Sequence, residues 1–235
     1  MTNLKGSVVR QEALTKSDKE VMYALMDTFY DNMTKENFLR DLEEKDYCIV
    51  LRDETGHIGG FSTQKLLHIP VGDTMMHGVF SGDTIIHKDY WGSMALFIEF
   101  AKFFFQFEEV YGEFYWFLIC KGYKTYKLLP TFFNTFYPNY KLVTPVSIKE
   151  KMDAYGMYCF PEDYDPQTGV ICYKQQKDRL KEHVADITED KLKDEHIAYF
   201  VKHNPEYIKG NDIVCITQIS KDNLSKRAVR FLFQQ

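Results

Sequence analysis

The sequence predicts one large domain of mixed helices and strands, or such a domain with an extension. Of its 235 residues, 45% are hydrophobic and 16% are aromatic, which suffices for a sizeable buried core. Short apolar runs such as residues 47–51 indicate strands, and longer segments with polar residues at helical spacing, such as the one after Gly92, indicate helices. Turn-forming clusters such as Asp53-Glu-Thr-Gly56 separate neighbouring runs. These observations favour an α+β or α/β fold.

The first part of the chain predicts a strand, two helices and a hairpin. Ser17-Asp-Lys-Glu20 has the spacing of a capping box at the start of a helix, and Thr34 is placed to cap the next helix. A turn-forming cluster between two apolar runs is typical of a hairpin. The predicted elements are a strand at residues 7–14, helices from 17 to about 30 and at 35–45, and hairpin strands at 47–51 and 58–64.

The middle of the chain predicts two strands separated by an apolar helix. After Gly92, four polar residues share one side of a helix, and the opposite side is wide and rich in phenylalanine. We therefore expect this helix to pack on a sheet. The predicted elements are the fourth strand at residues 75–86, the fifth strand at 113–120, and a short helix at 123–133 that Pro130 interrupts.

The remainder of the chain is less regular. It contains no internal repeat, low-complexity tract or clear linker, so a second independent domain is not required. We expect a core at residues 1–146 and a C-terminal extension at residues 147–235 that packs on the core as one structural unit. The predicted elements are strands at 141–146, 157–160, 170–174 and 212–220, and a charged amphipathic helix at 190–203 capped by Thr188.

Charge and composition argue against several classes of function. A net charge of -5 gives no reason to expect nucleic acid as the main partner, because phosphate binding draws on clustered Lys and Arg. The N-terminus lacks the pattern of a signal peptide, and no apolar run approaches roughly 18 residues, so we expect a cytoplasmic protein with no membrane span. The five cysteines are scattered and without CxxC spacing, which predicts neither a disulfide framework nor a metal site.

The stretch FSGDTIIHKDYWGSMALFIEF, residues 80–100, carries the main functional signal. A strand that turns directly into a helix points unsatisfied backbone N–H groups at the space above the turn, where the helix dipole favours anions. The order of elements in the chain and the segment His87-Lys-Asp-Tyr-Trp-Gly-Ser-Met-Ala-Leu96 together resemble the GNAT superfamily of N-acyltransferases. Members of that superfamily place this segment between their fourth strand and third helix.

The resemblance implies both a fold and an acyl donor. The implied fold is a central, mixed, mostly antiparallel twisted sheet flanked by helices, here with a C-terminal α/β extension. In family members the segment usually reads like V-x-P-x-Y-R-G-x-G-x-G/A, and its backbone amides cradle the pyrophosphate of coenzyme A. By the same resemblance, the donor-binding residues of this chain are Ile86, His87, Asp89, Tyr90, Trp91, Gly92 and Ser93.

The segment also departs from the family pattern. Met94 and Leu96 present side chains where the pattern has small residues, and Trp91 stands where an arginine is expected, so the pyrophosphate cradle is weakened. The nearby Lys121-Gly-Tyr-Lys-Thr-Tyr-Lys127, which includes Lys124, is either a solvated helix face or a basic patch for phosphate or an acidic protein. The donor is then an acyl-CoA or the phosphopantetheine-bound acyl group of an acyl carrier protein, and a weakened cradle beside a basic patch suits the carrier protein better.

Four residues are candidates for the chemistry. Asp83, on the fourth strand, is the first candidate for a base or an acceptor-orienting carboxylate, unless it only bonds nearby backbone or a lysine. His87 either titrates near neutrality or serves as a structural donor. GNAT enzymes often protonate the leaving thiolate with a tyrosine near the fourth helix, and Tyr126 is favoured among three tyrosines of that region. Cys120 is a candidate acyl-accepting thiol or a buried structural thiol.

Three hypotheses of function follow. The leading one is an acyltransferase that moves an acyl group from a thioester donor to an amine of a small molecule. The second is a non-catalytic GNAT-like binding or scaffold protein whose donor pocket has decayed, as Met94 and Leu96 suggest. The third is an unrelated α+β fold with another ligand. The residues after 146 are expected to cover the acceptor side or to form a homodimer contact.

Overall fold

A mixed sheet of eight strands forms the centre of the computed structural model, which describes residues 4–175 and 177–233. In chain order the strands are β1 (Lys5–Arg10), β2 (Tyr30–Asp31), β3 (Tyr47–Arg52), β4 (Ile58–Val71), β5 (Thr74–Ile86), β6 (Tyr115–Cys120), β7 (Tyr164–Asp165), β8 (Val170–Ile171), β9 (Arg179–Leu180) and β10 (Asp212–Gln218). The sheet has the order β1-β3-β4-β5-β6-β10-β8-β7, and β2 pairs separately with β9. All sheet neighbours are antiparallel except β5 and β6.

Helices flank this sheet, which confirms the predicted fold class. The predicted fourth and fifth strands are β5 and β6, because the two-residue β2 precedes them in the numbering. In chain order the helices are α1 (Lys16–Phe29), α2 (Lys35–Glu43), α3 (Ala95–Phe104), α4 (Gln106–Tyr111), α5 (Tyr123–Tyr126), α6 (Leu128–Phe132), α7 (Val146–Cys159), α8 (Glu195–His203) and α9 (Lys226–Phe233).

The first two helices begin at threonine caps. Thr15 caps α1, since its hydroxyl accepts from the Asp18 amide at 3.0 Å while the Asp18 carboxylate accepts from the Thr15 amide at 3.1 Å. The predicted capping box at residues 17–20 is therefore wrong, because the same pairing of hydroxyl and carboxylate occurs two residues earlier. The predicted cap of α2 is confirmed, because the Thr34 hydroxyl accepts from the Asn37 amide at 3.2 Å.

Three predictions for the later part of the chain are wrong. Residues 141–145 form no strand, and residues 157–159 end α7, which starts after Pro145, a residue whose fixed φ suits a helix start. The buried side of α7 has helical spacing, with Met152 and Tyr155 packed inward. Asp194, rather than Thr188, caps α8 by accepting from the amide of His196 at 2.9 Å.

The phenylalanine-rich α3 packs on the sheet as predicted. Phe97, Phe100 and Phe104 are buried in the largest apolar cluster, together with side chains of β1, β3 and β6. The ring of Phe100 lies 4.6 Å from that of Trp116 on β6, centroid to centroid. This face of α3 is therefore protein core, and the helix is held with its N-terminus beside the end of β5.

The C-terminal part of the chain contributes to the same sheet. Strand β10 lies beside β6, with Cys215 opposite Leu118, and β8 pairs with the other side of β10. The sheet thus contains strands from both sides of residue 146, and the division into residues 1–146 and 147–235 stays a prediction. Among the helices of the described residues, none is both long and apolar enough to cross a membrane.

Candidate functional site

The parallel strands β5 and β6 separate halfway along β5. They pair from Gly78 opposite Tyr115 to Ser81 opposite Leu118, and in the described chain β5 then continues to Ile86 without a partner on the β6 side. A cavity of about 590 Å³ fills the space between the two strand ends. Its walls include residues 82–86 of β5, Ile119 of β6 and several polar side chains from later segments. The central sheet therefore opens into a V at the level of Asp83.

A β-bulge marks the same point of β5. Ser62 of β4 lies opposite Thr84, and Gln64 lies opposite Ser81, so that one residue of β4 faces two residues of β5, Gly82 and Asp83. An extra residue bends the strand and redirects its side chains. Bulge and strand separation together place Asp83 on the wall of the cavity.

Asp83 is the carboxylate of this wall that has no direct partner. It is half-buried, and among the described residues no hydrogen bond or ion pair is made to its side chain. Burial raises its pKa to about 6, against the opposing charge of Lys45 and with a further rise from Asp178. A carboxyl group with such a pKa changes its protonation state near neutral pH, which suits a general base.

A buried cluster of opposite charges lies on the neighbouring wall. The Lys121 ammonium lies 2.7 Å from Asp178 Oδ2 and 3.9 Å from Asp212 Oδ2, and Asp212 also accepts from the Tyr173 hydroxyl at 2.9 Å. Burial raises the pKa of Asp212 to about 6, although Lys121 opposes the rise. The pKa of Lys121 is itself raised, because Asp212 and Asp178 outweigh the effect of its burial. Lys121 therefore stays charged.

The sequence predicted that Lys121 contacts phosphate, and it did not predict the carboxylates of Asp178 and Asp212 that pair with Lys121. Asp178, Asp212 and Lys45 come from three distant segments, and the tyrosines Tyr30 and Tyr173 complete the same wall. Only Asp212 offered a signal, as an acidic residue that opens the apolar strand DIVCITQ. A charged residue at such a buried position requires a partner.

The junction after β5 uses some of its own backbone amides. A turn of 3-10 helix, Lys88–Tyr90, follows His87, and Gly92 adopts a φ of +94°, a conformation that favours glycine. Within this turn the amides of Tyr90, Trp91 and Ser93 donate to carbonyl oxygens, and that of Asp89 donates to His87 Nδ1 at 3.4 Å. The turn is thus held by the N–H groups that the family resemblance had assigned to the ligand.

Other amides at the start of α3 remain available. Within the described chain, no acceptor is bound by the N–H groups of Gly92, Met94, Leu96 and Phe97. These groups lie at the positive end of the helix dipole. The part of the junction that can receive an anion is therefore shifted from residues 89–91 towards the first turn of α3.

Trp91 and Lys124 meet across the mouth of the V. Trp91 follows β5, and its indole N–H donates to the carbonyl of Ile86 at 2.8 Å. Lys124, on the helix that follows β6, places its ammonium 3.9 Å from the centre of the Trp91 ring. Both side chains line the cavity, and Trp91 is 53% exposed. A cation–π contact of this kind closes part of the entrance without a covalent or buried ionic link.

The other predicted catalytic residues lie outside the cavity. Tyr126 is buried and donates to the Pro138 carbonyl at 2.9 Å. Cys120 is buried beside Cys215, and burial raises the pKa of its thiol well above the usual value. His87 caps the turn after β5. The roles proposed for these three stay predictions, and of the four candidates only Asp83 lines the cavity.

The predicted basic patch is largely occupied. Lys121 binds Asp178, Lys127 binds Asp194, and Lys124 lies on the Trp91 ring. The Tyr90 hydroxyl is likewise used, because it donates to Asp53 Oδ2 at 3.2 Å.

Among residues 4–175 and 177–233, no three His, Cys, Asp or Glu side chains are grouped as metal ligands would be.

Solved structures provide distant likenesses. No protein-family model and no curated protein matches the sequence. The chain aligns with a probable N-acyltransferase from Enterococcus faecalis (12% identity, 57% of this chain, 33% of that chain, TM-score 0.42) and with Saccharomyces cerevisiae N-myristoyltransferase with bound myristoyl-CoA (17%, 52%, 30%, 0.40). It also aligns with a GNAT family N-acetyltransferase from Escherichia coli in complex with CoA (14%, 56%, 71%, 0.38).

The aligned part of the chain spans about a third of the length of the first two proteins. At such identities and TM-scores, the fold assignment depends on this chain's own strands. Their order, the parallel contact between β5 and β6, the V at Asp83 and the turn from β5 into α3 are the features expected of the predicted family. The observed fold therefore agrees with the one that the resemblance of the sequence to the GNAT superfamily predicted.

Proposed function

We propose that this protein is an N-acyltransferase that moves an acyl group from an acyl-CoA to an amine of a small molecule. One observation carries the proposal: the unpartnered Asp83 carboxylate lies on the wall of the cavity where β5 and β6 part. Amide formation from a thioester requires a cleft that holds the amine beside the thioester carbonyl, and a base that removes the proton of the amine.

The proposed donor lies in the V with its phosphates at the start of α3. The free N–H groups of Gly92, Met94, Leu96 and Phe97 and the cation of Lys124 favour an anion there. Coenzyme A is favoured over an acyl carrier protein, because Lys121 and Lys127 are paired with carboxylates and are not available to an acidic protein surface.

The proposed reaction assigns the proton of the amine to Asp83. The amine nitrogen bonds to the thioester carbonyl carbon, the carbon–sulfur bond breaks, and coenzyme A leaves as a thiolate. The thiolate takes a proton from water, and Asp83 returns the proton of the amine to solvent. Tyr30 lines the cavity, and burial raises the pKa of its hydroxyl above the usual value, with Asp83 adding to the rise. Tyr30 therefore stays protonated and is suited to hydrogen-bond the thiolate, a role for which the sequence had favoured Tyr126.

The test is release of free thiol. The purified protein is incubated with acyl-CoAs of short, medium and long chain and a panel of small amines, and the thiol is measured with a colorimetric reagent. We expect release that depends on both substrates. If no pair of substrates releases thiol above the rate without protein, the proposal fails.

A second candidate function is binding without catalysis. It is favoured by the Trp91–Lys124 contact across the mouth of the V and by the large side chains of Met94 and Leu96 at the junction. Calorimetry with coenzyme A separates the two candidates. Tight binding with no thiol release from any acyl-CoA favours a binding protein, and release favours the enzyme.

The remaining expectations of the sequence belong to the same proposal. We propose a cytoplasmic protein without a bound metal, whose residues after 146 cover the acceptor side of the cavity. Tyr173, Lys177 and Asp178 support this position, since all three line the cavity. A homodimer is an alternative role for the same region, which sedimentation of the purified protein tests.

A further inference from the structure

A chain of hydrogen bonds crosses the sheet beside the bulge. The indole N–H of Trp116 lies 2.8 Å from Ser81 Oγ, Ser81 Oγ lies 2.6 Å from Gln64 Oε1, and Gln64 Nε2 lies 2.7 Å from Ser62 Oγ. Ser62 Oγ lies 2.7 Å from Thr84 Oγ1, which lies 3.3 Å from the carbonyl oxygen of Gly82. The chain begins on β6, crosses β5 and β4, and ends at the bulge.

The protons of this chain have one consistent direction. An indole nitrogen only donates, so Ser81 accepts from Trp116 and donates to the Gln64 oxygen. The Gln64 amide donates to Ser62, which leaves the Ser62 hydroxyl to donate to Thr84 and the Thr84 hydroxyl to donate to Gly82. Every member has a defined role, and the last acceptor is a carbonyl of the bulge.

Because its members are buried, this chain of hydrogen bonds destabilises the protein unless every polar atom in it has a partner. Ser62, Gln64, Ser81 and Trp116 are all buried, and Gln64 is only 1% exposed. Apolar side chains at these positions would pack without unsatisfied polar atoms, whereas a partly broken network leaves several. The polar residues interrupt the otherwise apolar start of β4 at the level of the bulge. Buried apolar side chains would stabilise the sheet more simply, so we look for a role of these polar side chains at the bulge.

The chain of hydrogen bonds is connected to the cavity at two points, the apex of the V and the bulge. Ser81 forms the last parallel pair with β6, so its bond to Trp116 fixes the apex of the V. Thr84 and Gly82 are on either side of Asp83 in the sequence, so their bond fixes the backbone that carries this carboxylate. The same side chains thus hold both the opening of the sheet and the orientation of the bulge.

We propose that Trp116 and Gln64 are positioning residues, which fix the β5 bulge through this chain and so hold the Asp83 carboxylate on the wall of the cavity. The inference rests on the proposed function, because it assigns Asp83 a place in the reaction. The charged groups that act on Asp83 are Lys45, Lys121, Asp178 and Asp41, and all four lie outside the hydrogen-bonded chain.

The test compares two variants with a matched control. Gln64→Met removes the amide in the middle of the chain at similar length, and Trp116→Phe removes the starting N–H but keeps an aromatic ring in the core. The control is Thr217→Val on β10, which removes a hydroxyl from another buried side chain of the sheet. This hydroxyl donates to the Thr135 carbonyl at 2.8 Å and accepts from the Asn223 amide at 3.0 Å.

Two measurements are made on each protein. Carbon-13 NMR of the Asp83 carboxyl group gives its titration midpoint without any need for activity, and thiol release gives kcat and the donor KM. In both variants we expect the midpoint to move by about 1 unit towards the ordinary carboxyl range, because a freed Asp83 reaches solvent. We expect kcat to fall about 10- to 100-fold with little change in donor KM, and neither change in the control.

A purely structural role gives a different pattern. If the two variants melt at lower temperature like the control, yet keep the midpoint and kcat of the parent protein, the proposal is wrong. If Gln64→Met does not fold, Trp116→Phe decides. If the parent protein releases no thiol from any donor, the proposed function fails, whereas the NMR midpoint still decides whether the chain positions Asp83.

Discussion

Two consecutive segments of β5 differ in their neighbours. From Gly78 to Ser81, called here the closed half, the strand is paired on both sides, with β4 and β6, and its residues are buried. From Gly82 to Ile86, called here the open half, it is paired with β4 alone and faces the cavity on its other side. The closed half is therefore part of the core, whereas the open half has unpaired backbone groups and side chains that a ligand can contact.

The comparison predicts that the open half carries the chemistry. Asp83→Asn keeps the size of the side chain and removes the base, so we expect thiol release to fall about 100- to 10,000-fold with little loss of thermal stability. Asp190→Asn, which changes an exposed carboxylate outside the cavity, is the control and should stay within about twofold. Equal activity of the two variants would remove Asp83 from the mechanism.

The closed half should instead carry stability. A Cβ atom on Gly78 would lie 2.4 Å from Phe117 Cε2 and 2.6 Å from the Tyr115 carbonyl oxygen, so Gly78→Ala should cost about 3 kcal/mol of unfolding free energy. On Gly82 it would meet the flexible end of Lys45 at 2.9 Å and Thr63 Oγ1 at 2.8 Å, and we expect Gly82→Ala to cost about 1 kcal/mol. Chemical denaturation measures both, and equal losses would contradict the difference between the halves.

The charge of Lys45 should set the pH dependence of the open half. The deprotonated Asp83 is the base, so activity should rise with pH through about 6. Lys45 favours the charged carboxylate, so Lys45→Met should raise the pKa of Asp83 and move this limb to higher pH by about 0.5 to 1 unit. Lys65→Met is the matched control, because Lys65 lines the same cavity but pairs with Glu44 at 3.2 Å.

A pH profile of thiol release for the three proteins decides the matter. If Lys45→Met and Lys65→Met shift the limb equally, the effect is that of net charge and does not depend on the position of Lys45.

The smallest predicted effect concerns the mouth of the V. Trp91→Arg introduces the cation of the family pattern at a 53% exposed position. It removes the indole bond to the Ile86 carbonyl and the contact with Lys124, so we expect a small loss of stability. We expect coenzyme A to bind about fivefold more tightly, the worth of one charge-assisted hydrogen bond to a phosphate. Calorimetry measures the affinity, and Trp91→Phe, which adds no charge, should show no tightening.

The sequence predicted β5 as one strand and did not predict the difference between its two halves. The run from 75 to 86 was recognised as a strand and the helix after Gly92 as its neighbour, because both depend on local periodicity. The bulge at Gly82 and Asp83 was not foreseen, since it is defined by the register against β4. Local pattern says that a strand exists, and pairing decides how it bends.

The predicted cap of α1 and the predicted later strands were wrong for a related reason. Two hydroxyl residues lay within a few positions of the start of α1, and only Thr15 has the extended backbone from which a side chain can accept the Asp18 amide. The segment of residues 157–160 has the composition of a strand, but the burial of Met152 and Tyr155 favours a helix. Tertiary packing overrode local propensity there.

By itself, the sequence determined the order of the main strands and helices up to residue 133, the junction from β5 into α3 and the choice of Asp83 as first candidate. Those are properties of short segments, governed by periodicity, turn chemistry and backbone N–H groups that no helix can satisfy. Only the tertiary structure decided where β5 and β6 part, that Lys45, Asp178 and Asp212 share the cavity with Asp83, and that Tyr126 lies outside it. Desolvation and charge proximity depend on residues far apart in the chain, so the properties of Asp83 exist only once the sheet has formed.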